Sequence, residues 1–156
     1  MIVKKKKKDQ KDLEEKYMKK LNGYLSDLVV FYNKLHDLHW NVKGKMFVQV
    51  HMYTESRYED MASKFDEVAE MIVMNGQAPI TSMKEHVENA SIQELNKGRY
   101  RDDEVLQILI DDMSLLRKEA YKLREEYEDE FAIVNMLEAH IESYNKELWF
   151  LNSMMA

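Results

Sequence analysis

From Phe47 to Asn75 the chain contains no glycine and no proline. Nothing in that run interrupts a helix, so one long helix is expected across it. On a helical wheel turning about 100° per residue with His51 at zero, Glu55 falls near ~40°, Asp66 near ~60° and Glu70 near ~100°. Phe47, Tyr58, Ala62, Phe65, Ala69 and Val73 share or flank that arc. One imidazole and three carboxylates therefore interrupt what reads as the most apolar side of the helix. Buried ionisable groups are costly unless paired, hydrogen-bonded or bound to a metal, so the pattern is not that of a solvated face.

Distance narrows the reading. At about 1.5 Å of rise per residue, His51 and Asp66 lie about 22 Å apart on one helix and cannot reach one ion. Asp66 and Glu70 are one turn apart and can share an ion. His39 lies outside the helix, beyond Gly44, and can fold back towards His51. The helix thus carries two half-sites, one rich in histidine and one in carboxylate. A two-fold axis crossing it near Glu59 or Asp60 would bring His51 of one chain to Asp66 and Glu70 of another and create two equivalent sites. Read from the residues alone, the carboxylates could equally pair with lysine or arginine across an interface.

His39-Trp40-Asn41-Val42-Lys43-Gly44, followed by Phe47, His51, Glu55, Asp66 and Glu70, resembles the signature of the Dps proteins, the small bacterial ferritins. The resemblance spans roughly residues 10 to 152 as a helix pattern, with its specific part from His39 to Gly76. It implies an all-α, ferritin-like four-helix bundle with a short extra helix between the second and third long helices. It also implies a homo-oligomer, a dodecameric hollow shell, with a ferroxidase site at each two-fold interface. The implied metal ligands are His39, His51, Glu55, Asp66 and Glu70, with His39, His51, Asp66 and Glu70 carrying the oxidation. Iron would be oxidised from Fe(II) to Fe(III) by hydrogen peroxide and stored as a mineral, protecting against oxidative damage. Zinc or manganese are further candidate occupants. Two positions depart from the family: Glu55 stands where aspartate is usual, and Met71 where arginine is common. Trp40 is expected to pack near the site, whereas His36, one turn earlier, reads as a hydrogen-bonded core residue and not as a ligand.

The remainder of the 156 residues fits this picture. A composition of 45% hydrophobic and 33% charged residues suits one soluble domain, and four glycines and one proline leave little loop. With no cysteine, a metal must be held by nitrogen and oxygen donors, and the chain suits a reducing cytoplasm. No apolar run is long enough for a membrane span. Residues 12–156 are expected to form the bundle. A first helix spans about Asp9 to Leu38, with a packing stripe through Leu21, Leu25, Leu28, Tyr32, Leu35 and His39. Gly76 and Pro79 end the second long helix, and Ser82 to Ala90 form the short one, with His86 at a surface or interface. Asp102 or Asp103 caps the third long helix. Its apolar stripe runs from Val105 through Leu109, Met113, Leu116, Ala120 and Leu123 to Tyr127. The acids from Glu125 to Glu130 form a solvated junction or, by the resemblance, a cation funnel. Val134, Leu137, Ile141, Tyr144, Leu148 and Leu151 make the stripe of the last helix. Nowhere does Glu precede His by three, so the Glu-x-x-His pairs of a di-iron centre inside one bundle are missing.

The net charge of −6 argues against a generally nucleic-acid-binding surface. Residues 1–11 are the exception. Lys4, Lys5, Lys6, Lys7 and Lys8 form an unbroken basic run that reads as a tail or a helix start. Some Dps proteins bind DNA through such tails, and many weak phosphate contacts would add up across an oligomer. A nucleoid-binding protein acting through this segment is the alternative reading.

Overall fold

The computed structural model describes the backbone of residues 2–156 and the side chains of residues 15–156. Four long helices, α1 (Ile2–Asn41), α2 (Phe47–Met74), α4 (Asp102–Glu126) and α5 (Phe131–Met155), enclose one core. The short α3 (Met83–Asn89) lies between α2 and α4 in sequence and packs on α1. α1 pairs with α2 and α4 with α5, each across a short connection that folds the partners antiparallel. The only strands among the described residues are β1 (Val42–Lys43) and β2 (Tyr100–Arg101). They pair in parallel with Val42 opposite Tyr100 and Lys43 opposite Arg101. The fold is the expected all-α bundle with its extra helix.

The stripes account for the packing. Leu21, Leu25, Leu28 and Leu35 of α1 are buried, as are Val105, Leu109, Met113, Leu116, Ala120 and Leu123 of α4. Leu137, Ile141, Tyr144, Leu148 and Leu151 close the core from α5. Each fully buried leucine contributes about 1.5–3 kcal/mol relative to exposure. α1 runs beyond the expected Asp9 and Leu38 at both ends. The Lys4 to Lys8 backbone belongs to it, while those side chains lie outside the described residues.

Helix ends follow local chemistry. Gly76 adopts φ 74°, and its N–H donates to Val73 O at 2.9 Å while Gln77 N–H donates to Ile72 O at 3.2 Å, terminating α2 in a Schellman motif. At α4 the expectation of an aspartate cap is corrected. Arg101 occupies the cap position, and Asp102 and Asp103 stand in the first turn, where negative charge is favourable. Glu104 reaches back to accept from Arg101 N–H at 2.7 Å, and Asp102 Oδ2 accepts from Met46 N–H at 2.7 Å. The latter bond ties the start of α4 to the α1–α2 turn. Asp27 of α1 anchors the chain after α3 by accepting from Ser91 N–H at 2.6 Å and Ile92 N–H at 2.8 Å. His86 is corrected from surface to interior: it is buried against α1, its Nδ1 3.0 Å from Ser26 Oγ.

Candidate metal centre

His39 closes α1 and His51 lies in the second turn of α2, joined by the turn at Gly44. Their rings stack at a centroid distance of 3.6 Å and an interplanar angle of 20°. His39 Nδ1 lies 2.8 Å from His51 O, and His51 Nδ1 lies 2.9 Å from His39 O. A carbonyl oxygen only accepts, so both Nδ1 atoms carry hydrogen. In the neutral rings the lone pair of each is therefore on Nε2, the atom left for a metal. Thr54, buried beneath, places its hydroxyl 2.8 Å from His51 O and 3.3 Å from His39 Nδ1. Tyr58 meets His39 edge-on at 5.4 Å, and Phe47 stacks beside His51 at 5.2 Å. The histidine pair is walled by aromatic rings and fixed in tautomer.

The carboxylates behave differently from the expectation that they interrupt a packed apolar side. Glu55, Asp66 and Glu70 are exposed. The buried residues of α2 are Val50, Thr54, Met61, Lys64, Val68, Met71 and Ile72, on the opposite side of the wheel. The arc with Phe47, Tyr58, Ala62, Phe65, Ala69 and Val73 is a second face, half-buried at Tyr58, Ala62, Phe65 and Ala69 and exposed at Phe47 and Val73. A helix with two apolar faces has one for its own bundle and one left over. Asp66 opens onto a groove of about 400 Å³ lined by residues including Leu25, Tyr32, Phe65, Ala69 and His86. Among the described residues no three His, Asp or Glu side chains converge as a metal site. Trp40 is 68% exposed, with its ring 5.4 Å from that of His36. His36 stacks on Tyr58 at 3.9 Å and bonds Tyr32 O at 3.0 Å, so it touches the wall of the His39 half-site.

Between α2 and α5 lies a polar layer that the sequence reading missed. Glu147 of α5, almost fully buried, accepts from Tyr53 Oη at 2.6 Å and Arg57 Nη1 at 2.8 Å. Buried Lys64 pairs with Asp60 at 2.6 Å and reaches Ser143 Oγ at 3.2 Å. His140 joins Glu67 through Nε2 at 3.0 Å and Tyr24 Oη through Nδ1 at 3.0 Å, and Tyr24 Oη lies 2.7 Å from Tyr144 Oη. Burial lowers the His140 pKa despite Glu67, and burial raises both phenols well above their ordinary range. Lys34 pairs with Asp112 at 2.7 Å from the α1–α4 side. Asp112, Glu147 and Asp60 are matched by cations in the bundle, and Glu67 by the His140 ring. The signal was present in the sequence: Arg57 and Lys64 fall on the core side of α2, and His140 falls on the stripe between Leu137 and Tyr144.

Residues 18–156 match the ferritin-like domain family. A DNA protection during starvation protein of Helicobacter pylori is 31% identical over 133 residues, covering 84% of this chain and 92% of its own. A second protein so named, from Bacillus anthracis, is 34% identical and covers 86% and 93%. The crystal structure of a Vibrio cholerae Dps protein superposes with a TM-score of 0.86 at 28% identity, covering 93% and 92%. That protein is described as one of a broad superfamily of ferritin-like diiron-carboxylate proteins. The chain belongs to the ferritin-like family, in its Dps branch.

Proposed function

We propose that this protein is a mini-ferritin that takes up Fe(II), oxidises it to Fe(III) with hydrogen peroxide and stores the ferric product inside a hollow homo-oligomer. The observation that carries the reading is the His39–His51 pair, each ring locked with Nδ1 on the other's carbonyl and Nε2 carrying the lone pair. Backbone-anchored imidazoles of fixed tautomer are what a metal half-site requires. The second half comes from a partner chain. Asp66 and Glu70 supply carboxylate oxygen one turn apart, and Glu55, one turn from His51, serves a second metal position. The unmatched apolar face of α2 and the groove at Asp66 support a chain–chain contact there. The description of the Vibrio cholerae relative supports the chemistry. Imidazole and carboxylate donors suit Fe(II) as substrate, with Zn(II) or Mn(II) as competitors.

The test is an anaerobic Fe(II) titration of the purified oligomer followed by a peroxide pulse, with particle mass measured in parallel. Saturable binding, fast oxidation and a soluble ferric core in a twelve-subunit particle are expected. A monomer or dimer that binds no Fe(II) would overturn the reading. A second reading, DNA binding, rests on the Lys4 to Lys8 run and on the names of the relatives. Gel shifts comparing the full chain with one lacking residues 1–11 decide it: a salt-sensitive shift lost on truncation supports it.

A further inference from the structure

Outside the proposed metal centre, the most specific arrangement of groups is the chain Glu67–His140–Tyr24–Tyr144. His140, Tyr24 and Tyr144 are each at most 3% exposed, and Glu67 reaches solvent. The donor order is fixed by chemistry. The Glu67 carboxylate accepts, so His140 Nε2 carries the hydrogen and Nδ1 of the neutral ring carries a lone pair. Tyr24 Oη–H then donates to Nδ1, and Tyr144 Oη–H donates to Tyr24 Oη. A phenol buried in this way cannot release its proton to water or persist as an isolated phenolate. Its proton has one acceptor, 3.0 Å away.

We propose that Tyr24 and His140 form a proton-coupled redox pair that quenches oxygen-centred one-electron oxidants. The oxidant takes one electron from the Tyr24 phenol while the phenolic proton passes to His140 Nδ1. The products are a neutral Tyr24 phenoxyl radical, a His140 imidazolium and the oxidant reduced by one electron, as hydroxyl radical is to hydroxide. Glu67 accepts a hydrogen bond from the imidazolium and offsets its charge. Lys64, whose ammonium lies 5.7 Å from the Tyr144 ring centre, disfavours the imidazolium, and Asp60, paired with Lys64, offsets part of that effect. Tyr144 continues to donate to the phenoxyl oxygen and holds it in place. Tyr24 lines a pocket of about 130 Å³ together with Lys20, Asp27 and Glu119. A purely structural network would hold the same atoms together but would not localise an unpaired electron on Tyr24.

The assembled protein, free of iron, is oxidised photochemically with a ruthenium sensitiser and persulfate, which supplies sulfate radical, then freeze-quenched for electron paramagnetic resonance. A tyrosyl radical is expected that couples to one exchangeable proton, with its largest g component below that of a solvent-exposed tyrosyl. Tyr24→Phe should remove most of that signal, and Tyr121→Phe, at an exposed tyrosine, should leave it unchanged. An undiminished signal in Tyr24→Phe would overturn the proposal. If that variant does not fold, the unaltered protein decides alone: a g component typical of exposed tyrosine with no exchangeable-proton coupling has the same consequence.

Discussion

His39 and His51 are stacked at 3.6 Å, and each imidazole donates to the other's backbone carbonyl. The end of α1 and the start of α2 are therefore clamped by the very side chains proposed to bind metal. Local strain in the turn between them should be felt at the half-site, and the turn depends on one glycine.

Gly44 has φ 137°, a region rarely open to other residues, and a Cβ there would collide with the Asp102 carboxylate that holds Met46 N–H. Gly44→Ala should cost about 1–3 kcal/mol and weaken Fe(II) binding. Gly23, inside α1 with open space around its Cα, provides the control: Gly23→Ala should stabilise by about 0.5–1 kcal/mol and leave binding unchanged. Urea denaturation at fixed protein concentration, with Fe(II) titration, reads both.

Glu147 is the shared acceptor of Tyr53 and Arg57 in the α2–α5 layer. Replacing it with leucine strands a guanidinium that is only 15% exposed, with Asp60 at 3.7 Å as its remaining partner. Glu147→Leu should lose about 3 kcal/mol by the same denaturation assay, because breaking one side of a buried pair costs more than the pair contributes. A loss no larger than that of a surface substitution would show that Asp60 compensates fully.

The contrast between these positions shows what the sequence made legible. The helices, the α2 terminus and the His39–His51 pair could be read because each follows from local spacing: leucine stripes, a Gly76 stop, and two histidines flanking one turn. The α2–α5 layer was legible only as polar residues on core faces, not as contacts between helices. Arg57, Lys64, His140 and Glu147 are polar residues on core faces, and their partners lie on helices 73 to 94 residues away in sequence. The misjudged side of α2 has a related cause. A helix with two apolar faces gives two candidate interiors, and periodicity alone does not say which one its own bundle covers. His86 was likewise settled by packing against a distant segment, Ser26 of α1, not by its neighbours in the chain.

Asp27 gives a pH prediction. Burial raises its carboxyl to about 6 although two backbone N–H groups favour the charged form. The unfolded chain ionises near the ordinary value of 3.8, so between about 3.8 and about 6 the folded state binds more protons. The Asp27 contribution is therefore fully present below that window, is lost as pH rises through it and stays lost above. Asp27→Asn keeps an acceptor for Ser91 and Ile92 but cannot ionise. The parent should lose stability relative to Asp27→Asn between pH 4 and pH 6.5, by an amount on the order of 2–3 kcal/mol, with no further divergence above. Parallel urea midpoints across that range provide the check, and a constant difference would mean that Asp27 is not buried as a carboxylate.

A metal centre shared between chains, as proposed, has its own signature. Suppose His51→Ala and Asp66→Ala are each made alone. Every interface in either homo-oligomer then lacks one ligand at both sites, so both should lose fast peroxide-driven Fe(II) oxidation. Coexpressed in equal amounts, the two chains form mixed pairs. In a mixed pair one site is doubly damaged, while the other combines His51 of the second chain with Asp66 of the first and is intact. With random pairing, half of the interfaces are mixed and each restores one of its two sites, so about a quarter of the original centres should return. The readout is the initial oxidation rate and the number of tight Fe(II) sites per particle, for the mixture against each variant alone. A site built within one chain predicts no recovery on mixing, because each chain would carry its own defect into every particle. Recovery near a quarter would place His51 and Asp66 on opposite sides of one two-fold interface.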